Sequence, residues 1–437
     1  MKPAAKATVE PVVEAPPIRP RPIVEAPPPL EPLVAPVEIK PELALILTPP
    51  GGETPVVVGL LLPLTGRHRA LGRALRDAAF MALFEMANPR LVLLPRDTGG
   101  TAEGAETAAG ELTRLGAELI LGPIFREAVE GAAPVARAGG VNIVAFSTDR
   151  TVTGDGVYLL GFSPEQQIER VLGYAATRGL WRYAALAPDS TYGLAVVETM
   201  REVLRRHNGE ITDVEYYAPD GSDAAGAVQR LGQYAQRKAQ LAQRRRQLAG
   251  QSGAKARRER RLLRGTDTYG EVPFEALLLP EGGSVLRQVA PLLPYYDIDS
   301  DRVRVLGTGL WDDPGTTREP ALVGGWFAAP APAAAGDFRR RFEAAYGRQP
   351  PRIASLAYDA AALAAVLANA DDGPRFDRET LTTASGFAGS DGIFRFRQDG
   401  IAERGLAVLE VTPDGFRVVS EAPTSFEAPL FQPRPGS

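Results

Sequence analysis

The sequence of 437 residues predicts an α/β protein of two lobes, each a doubly wound and mostly parallel sheet flanked by helices. Short apolar runs of strand length alternate along the chain with longer segments whose apolar residues follow helical spacing, a pattern typical of βαβ units. This alternation occurs in two consecutive series of comparable size. Two such series predict two lobes with a cleft at the carboxyl ends of their strands.

The first series begins with the run VVVGLLLP, and a run that is apolar throughout is typical of a parallel strand buried on both faces. Helices and strands then alternate as far as residue 146. The predicted strands are 56–63, 91–95, 119–122 and 141–146, and the predicted helices are 72–88, 101–115 and 126–138.

The second series follows a connector at 153–164. Its predicted helices are 165–178, 190–208, one that begins near 223, and 284–293, and its predicted strands are 182–187, 211–217, 276–279 and 303–307. The rest of the chain breaks the alternation, because helices at 337–346 and 353–369 precede three strand-like segments with turn sequences between them, 392–396, 406–411 and 416–419. We therefore expect antiparallel strands there, and more than one crossing between the lobes.

The two ends of the chain differ from this body. Of the 39 prolines, 15 lie within residues 1–55, so we expect residues 1–53 to be an extended tether, with an inert tail as the alternative. Residues 426–437 form a C-terminal tail. Because Met1 is not followed by an apolar signal segment, we expect either a cytoplasmic protein or a chain that begins after a removed export segment.

The composition argues against several kinds of chemistry. The chain has no Cys and two His, which excludes disulfides, zinc clusters and iron–sulfur sites, and it has no phosphate-binding glycine loop or nucleophile elbow. We therefore predict no catalytic residue, no metal site and no cofactor, and we expect a protein that is not an enzyme. The net charge of −4 gives no general attraction to nucleic acid.

Four short motifs occur in a characteristic order: VGLLLPLTG before a helix, GPI after the third strand, AFS after the fourth, and DSTYG at 189–193. Together they resemble the type I periplasmic binding proteins, the leucine/isoleucine/valine-binding superfamily. Within that superfamily the Pro-rich leader, LGTGLWDDPG at 306–315 and the following GGWFAAP are similar to penicillin-binding-protein activators, the lipoprotein branch. The resemblance implies a first lobe of 54–160 plus 310–388 and a second lobe of 161–309 plus 389–425.

In this superfamily a small ligand is held in the cleft by short loops at strand ends. The resemblance places such loops at 64–67, 122–126 and 146–149 in the first lobe, and after two strands of the second lobe. The ligand-binding residues that it implies are Thr65, Arg126, Ser147, Thr148, Asp189, Tyr192 and Trp311.

The cleft loops depart from the amino-acid receptors at one position in particular. The usual GPxxS pattern is GPIFR here, so Arg126 replaces a small hydroxyl residue. Arg126 would pair with an anion, fill the cleft, or form an ion pair with Glu127 or Glu130 of its own helix. The alternative for Ser147 and Thr148 is capping of a helix or turn, and the alternative for Tyr192 is packing at the cleft edge.

A basic insertion lies at about 232–268. Residues 236–264 contain eleven Lys or Arg against one acid, Glu259, and GQSG at 250–253 predicts a turn between two helices. The resulting helical hairpin is either a solvated charged arm or a docking site for an acidic partner or an anionic lipid surface; nucleic acid is less favoured because few aromatic residues are interleaved. Its predicted partner-binding residues are Arg244, Arg245, Arg246, Arg257, Arg258, Arg260 and Arg261.

The resemblance leaves two functions open. The first is a non-enzymatic periplasmic regulator, anchored to the outer membrane through a segment absent from this chain, that contacts a bifunctional penicillin-binding protein and promotes peptidoglycan synthesis. The leader, the altered cleft loops and the basic insertion favour this function. The alternative is the substrate-binding receptor of a branched-chain-type amino-acid ABC transporter, which Ser147, Thr148 and Tyr192 favour.

Overall fold

The computed structural model describes residues 54–370 and 373–426. The predicted tether, and all but the first residue of the predicted tail, lie outside the described residues. The strands are β1 Val56–Leu62, β2 Leu91–Asp97, β3 Leu119–Leu121, β4 Asn142–Ala145, β5 Val157–Leu159, β6 Arg182–Pro188, β7 Glu210–Tyr217, β8 Ala276–Leu278, β9 Arg304–Gly307, β10 Trp326–Ala329, β11 Phe387–Gly389, β12 Gly392–Phe396, β13 Ala402–Arg404, β14 Ala407–Thr412 and β15 Gly415–Ser420.

The α-helices of the described residues lie mostly between these strands as far as β9, but only a 3₁₀ turn separates β4 from β5, and β5 lies in the predicted connector at 153–164. They are α1 Arg69–Met86, α2 Ala102–Arg114, α3 Arg126–Ala138, α4 Pro164–Thr177, α5 Thr191–Arg206, α6 Ala224–Leu231, α7 Tyr234–Ala249, α8 Ala254–Leu262, α9 Gly283–Val289, α10 Leu292–Tyr295, α11 Pro332–Tyr346, α12 Ala354–Leu367 and α13 Arg378–Leu381. Short 3₁₀ turns lie mainly in the loops.

A parallel five-stranded sheet forms the first lobe, in the order β2-β1-β3-β4-β5. All seven residues of β1 are buried, as expected for a central strand with helices on both faces. Helices α1 and α12 cover one face, and α2 and α3 cover the other. The second face is packed closely, since a Cβ atom at Gly59 of β1 would lie 2.4 Å from the Leu112 side chain of α2.

A seven-stranded sheet forms the second lobe, in the order β15-β14-β10-β9-β8-β6-β7. Strand β10 pairs parallel to β9, with Trp326 opposite Leu306, and antiparallel to β14. Residues 326–329 therefore lie in the second lobe, which corrects the implied assignment of 310–388 to the first. Strand β10 was not predicted from the sequence, because it follows a glycine pair and no α-helix separates it from β9.

A small antiparallel sheet of β11, β12 and β13 lies beside the first lobe. Phe394 and Phe396 of β12 share a buried core with α1 and α12, so the chain before β14 packs on the first lobe, although the resemblance placed 389–425 in the second. Strands β14 and β15 extend the larger sheet and are antiparallel, as their turn sequence predicts.

A buried cluster of charged side chains lies where the chain crosses between the lobes. The guanidinium of Arg404, 4% exposed, lies 3.8 Å from a carboxylate oxygen of Asp359, which is 2% exposed. Arg404 also donates to the Leu160 carbonyl at 2.9 Å, and Asp359 accepts from the Ser390 backbone N–H at 2.6 Å. The cluster thus connects α12 with β13 and with the chain that leaves β5.

Arg352 extends the cluster to the second lobe. It donates to the buried carboxylate of Asp391 at 3.1 Å and to Asp312, which follows β9, at 3.2 Å. The ring of Phe162 faces both cations, 4.3 Å from Arg352 and 4.7 Å from Arg404. Charges that are removed from water in this way are stable only while their partners stay in place.

Burial and the neighbouring Asp391 raise the pKa of Asp359 to about 6, although Arg404 and the hydrogen bonds of Ser390 act in the opposite direction. The folded protein therefore binds a proton at Asp359 more tightly than the unfolded chain does. This group adds stability as the pH falls through its folded pKa, and that contribution is lost as the pH rises.

We predict that Arg404→Met lowers the free energy of unfolding by about 3–5 kcal/mol at pH 7.5, because Asp359 and Asp391 are left buried without this cation. The loss should shrink at pH 5, since a proton can then neutralise a carboxylate. The matched control is Arg417→Met, which removes an arginine that pairs with Glu410 at the surface and should cost under about 1 kcal/mol. Urea unfolding at both pH values measures this, and an equal loss at both would contradict the electrostatic explanation.

A second prediction concerns Gly122, which follows β3 with φ +81° and whose Cβ atom would lie 2.2 Å from the carbonyl oxygen of Leu61. We expect Gly122→Ala to destabilise the protein by about 2–4 kcal/mol, through left-handed strain and this clash with β1. Gly116→Ala is the control, because Gly116 has φ +79° and open space around it, so only the strain of about 1–2 kcal/mol applies. Equal urea midpoints for the two variants would show that the clash is relieved without cost.

Candidate functional site

The candidate site lies at the carboxyl ends of the parallel strands in both lobes. In the first lobe, loops follow β1, β3 and β4, and in the second lobe, loops follow β6, β8 and β9. Ligands of open α/β sheets bind at this edge, because neighbouring loops diverge there and leave a crevice. All seven ligand-binding residues implied by the sequence lie in these loops or in the first turn of the helix that follows, although the side chain of one of them, Trp311, points away from this edge.

The loop after β1 is organised by Asp97 at the end of β2. The Thr65 hydroxyl donates to Asp97 Oδ2 at 2.6 Å, and the backbone N–H groups of Leu64 and Gly99 donate to Oδ1 at 2.8 Å. Burial alone would raise the pKa of Asp97, but these bonds together lower it below its usual value. Thr65 therefore donates its hydroxyl proton within its own lobe. Its oxygen can still accept a hydrogen bond from a ligand.

Arg126 begins α3 and pairs with two acids of the first lobe. Its Nε lies 2.8 Å from Glu130 Oε1, and its Nη1 lies 3.7 Å from Asp149 Oδ2. The ion pair with Glu130 is the one considered from the sequence, whereas the contact with Asp149 joins the loops after β3 and β4. The guanidinium remains half exposed, so it stands at the rim of this loop cluster.

Ser147 and Thr148 follow β4 and differ in environment. Ser147 is 5% exposed, and its hydroxyl oxygen accepts from the Asp149 backbone N–H at 3.1 Å, so it caps a turn as the alternative prediction proposed. Thr148 is exposed. Asp149 is also held by the Thr151 hydroxyl at 2.6 Å, which is the main cause of its lowered pKa, with Arg126 as a smaller one.

In the second lobe, Asp189 and Tyr192 lie around the start of α5. Asp189 is exposed, and its backbone N–H donates to Tyr217 O at 2.7 Å. The Tyr192 hydroxyl lies 2.9 Å from the Thr308 hydroxyl, at the end of β9. Burial raises the pKa of Tyr192 to about 12, so the phenol stays neutral. Both residues lie at the expected edge of the sheet.

Trp311 does not lie in the cleft. Its side chain is fully buried in the core of the second lobe, with its ring centroid 6.1 Å from that of Phe327 on β10. The glycines at 307 and 325 make room for it, since a Cβ atom at Gly307 would lie 2.1 Å from the indole. Its implied ligand contact is therefore corrected to a packing role, because the turn after β9 directs the side chain inward.

Two acidic residues at the same edge were missed by the sequence analysis. Asp97 ends β2, and Glu281 follows β8 and accepts a hydrogen bond from the Tyr217 hydroxyl at 2.9 Å. Both could have been found from their positions, because each is an acid directly at the end of a predicted strand. The edge therefore carries the Asp97 and Glu281 carboxylates, both already hydrogen-bonded within their lobes, and the half-exposed Arg126 cation.

The predicted partner-binding arginines lie far along the chain from these loops and fall into two groups. Arg244, Arg245 and Arg260 are bonded within the hairpin of α7 and α8. The other four are exposed: Arg246, Arg257, Arg258 and Arg261. Across residues 54–370 and 373–426, no cluster of three or more His, Cys, Asp or Glu is arranged to hold a metal ion, and no helix has the length and apolarity needed to cross a membrane.

Residues 55–255 match the family model described as periplasmic binding protein. Among solved structures, a protein of Rhodospirillum rubrum assigned to branched-chain amino acid ABC transport has a TM-score of 0.67 at 18% identity, covering 84% of this chain and all of that one. LivJ of Streptococcus pneumoniae, a branched-chain amino acid transporter substrate-binding protein solved with isoleucine, has a TM-score of 0.54 at 17% identity and covers 84% of this chain. At such identities the likeness establishes the fold.

Curated relatives match a shorter part of the chain. The penicillin-binding protein activator LpoA of Vibrio cholerae is 27% identical over 157 residues, which are 35% of this chain and 26% of the activator. LpoA of Photobacterium profundum is 25% identical over 169 residues, and an uncharacterized protein of Rickettsia prowazekii is 20% identical over 180 residues. The matches span about half of the Rickettsia protein and about a quarter of each activator.

The motif order, the two mainly parallel sheets and these matches all agree with the fold of the type I periplasmic binding proteins. The predicted two-lobed α/β fold is confirmed, and so is the resemblance on which it was based. The chain is a type I periplasmic binding protein in fold, and it shares sequence similarity with the penicillin-binding-protein activators.

Proposed function

We propose that this protein is a non-enzymatic periplasmic regulator that binds a bifunctional penicillin-binding protein and stimulates peptidoglycan synthesis. The observation that carries the proposal is the similarity to LpoA of Vibrio cholerae, 27% identical over 157 residues. That segment is about a quarter of the activator. The partner and the activity of the whole activator are therefore proposals for this chain.

The geometry of the cleft loops supports a regulator rather than a receptor. The Thr65 hydroxyl donates to Asp97, the Ser147 hydroxyl oxygen accepts from the backbone of Asp149, and Arg126 pairs with Asp149. A receptor has to offer such groups to its ligand, whereas these groups already bind their own loops. A ligand that took the Thr65 hydroxyl proton, or that drew Arg126 away from Asp149, would first break an internal contact, which lowers the net affinity.

A second candidate is the substrate-binding receptor of an amino-acid ABC transporter. It is favoured by Thr148 and Asp189, which are exposed at the cleft edge, and by the neutral phenol of Tyr192, which lies in the first turn of α5 and bonds Thr308. In this alternative the two lobes close on the ligand, and Arg126 takes the place of a small hydroxyl residue against its carboxylate.

The location follows from the same proposal. A regulator of peptidoglycan synthesis has to act in the periplasm, where the family with this fold is found. A residue range rich in proline, such as 1–55, is suited to span distance between an anchor and the folded lobes. We therefore propose a periplasmic location, with attachment to the outer membrane as the arrangement to be tested.

We predict that the full chain increases the rate of glycan-strand polymerisation by a bifunctional synthase from the same genome. In parallel, the chain is freed of bound ligand by unfolding and refolding and then heated with each amino acid. No shift of the unfolding temperature is expected, because the cleft groups are bonded internally. A ligand at about 100 times its dissociation constant would add about 2.7 kcal/mol, or a few degrees for a chain of this size.

The two measurements separate the candidates. A rise of the unfolding temperature with one class of amino acid would favour the receptor. This rise should be lost in the double variant Thr148→Ala/Tyr192→Phe. It should be kept in the control Thr107→Ala, which lies on the distant face of α2. Stimulation without any thermal shift would favour the regulator. No stimulation by the chain, with the synthase shown to be active, would contradict the proposed function.

A further inference from the structure

The basic insertion folds as two helices, α7 and α8, joined by a turn at 250–253. Arg244 of α7 and Glu259 of α8 hold the helices together through two bonds, Nε to Oε1 at 2.7 Å and Nη2 to Oε2 at 2.8 Å. Such paired bonds between arginine and carboxylate fix the relative position of two helices. The single acid of the hairpin is therefore engaged on its inner side.

Several arginines of α7 serve this internal structure. Arg237 is 5% exposed and donates to the backbone carbonyls of Gly232, Gly270 and Asp297. Arg245 donates to the carbonyl of Leu263 at 2.6 Å, in the segment after α8. These cations satisfy carbonyls at the base and the open end of the hairpin, so they are not available to a partner.

The remaining outward positions of the two helices differ in charge. On α7 the exposed Gln236, Gln240 and Gln243 form a neutral stripe at helical spacing, and the exposed cations Lys238 and Arg246 lie outside this stripe. On α8 and the turn that follows it, the exposed residues are cationic. We call this the α8 cationic face; it consists of Lys255, Arg257, Arg258, Arg261 and Arg264.

None of these five side chains has a salt-bridge partner among the described residues. Arg257, Arg261 and Arg264 are spaced four and three residues apart, so they line one side of α8 and the turn after it over about 10 Å. Four of the five are arginines, whose planar donor forks bind carboxylates in pairs. The α8 cationic face is therefore a row of exposed cations without a salt bridge to the described residues, and its charge is complementary to a row of carboxylates.

A lipid surface fits this face less well. A helix that lies in a membrane interface needs a continuous apolar face. The inner side of α8 instead faces α7, with Ala256 buried and Glu259 bonded to Arg244. The large apolar residue that stays exposed on α8 is Leu262, whose exposed fraction is 67%. The chain outside 236–264 carries about −14, so attraction to an anionic bilayer would be local and opposed by the rest of the molecule.

We propose that the α8 cationic face binds an acidic segment of a partner protein, one that presents several carboxylates in a row. This inference does not depend on what the cleft binds. Of the arginines predicted from the sequence to bind a partner, Arg257, Arg258 and Arg261 keep this role in the proposal. Arg244, Arg245 and Arg260 do not, because they are bonded within the hairpin.

The test compares two triple variants of the full chain that change the net charge equally. Arg257→Gln/Arg258→Gln/Arg261→Gln removes three cations from α8, and Gln236→Glu/Gln240→Glu/Gln243→Glu adds three acids to the opposite face of the hairpin. Binding of a labelled poly-L-glutamate peptide is followed by fluorescence anisotropy at low and at physiological ionic strength. Circular dichroism and thermal unfolding establish that both variants are folded.

We expect the arginine variant to bind the peptide about tenfold more weakly, as for the loss of three exposed charge pairs. The glutamine variant should lose under about threefold at physiological salt, because its added charges lie on α7, they leave the α8 cations in place, and salt screens their effect. Equal weakening would overturn the proposal in favour of net charge. No binding by the unaltered chain would overturn it as well.

Two further arms identify other occupants. Tighter binding to vesicles of phosphatidylglycerol and phosphatidylcholine than to the peptide, lost in the arginine variant, would overturn the proposal in favour of lipid headgroups. Salt-sensitive dimerisation in sedimentation experiments, lost in the same variant, would overturn it in favour of a second copy of this chain. Neither arm involves peptidoglycan synthesis, so a failure here is distinguishable from a failure of the proposed function.

Discussion

The cluster of the buried Arg404, Asp359 and Asp391 with the partly exposed Arg352 is the constraint on which the arrangement of the two lobes depends. Its members come from α12, from the small antiparallel sheet and from the chain before α12, and Asp312 adds a carboxylate that follows β9 of the larger sheet. Buried charges tolerate little displacement, since a partner that moves away leaves an unpaired ion in a medium of low dielectric constant. The crossings between the lobes are thereby fixed by electrostatics as well as by apolar packing.

The same fold that binds branched-chain ligands in its neighbours has here a cleft edge whose polar groups bind one another. Asp97 collects the donors of the loop after β1, and Arg126 joins the loops after β3 and β4 through Asp149. An edge organised in this way is rigid before any ligand arrives. Rigidity of this kind suits a surface that a partner protein recognises, because little ordering entropy is lost on docking.

The elements with long, regular patterns were predictable from the sequence, and the failures have physical causes. The helix capped by Ser190 and the buried strand β1 follow from local chemistry, so they were found within about two residues. Strand β10 was missed because no α-helix separates it from β9, so the alternation of helices and strands gave no reason to expect a strand there. Trp311 was misplaced because sequence order shows that it follows a strand but not which way the next turn directs its ring. Arg244 and Arg257 both lie in runs of basic residues, so the sequence alone does not tell which of them is available to a partner. The structure distinguishes them, because Arg244 pairs with Glu259.

The position of the basic hairpin separates its role from that of the cleft. The base of the hairpin is held by the ion pair of Arg237 and Asp297. Glu275 lies nearby, directly before β8. Its carboxylate accepts a hydrogen bond at 2.9 Å from the backbone N–H of Trp181, the residue before β6. These residues line a polar cavity of about 610 Å³ at the amino ends of the strands. The cleft loops lie at the carboxyl ends, on the opposite edge of the same sheet. A partner bound to α8 would therefore leave the cleft open, and the two surfaces can be altered independently.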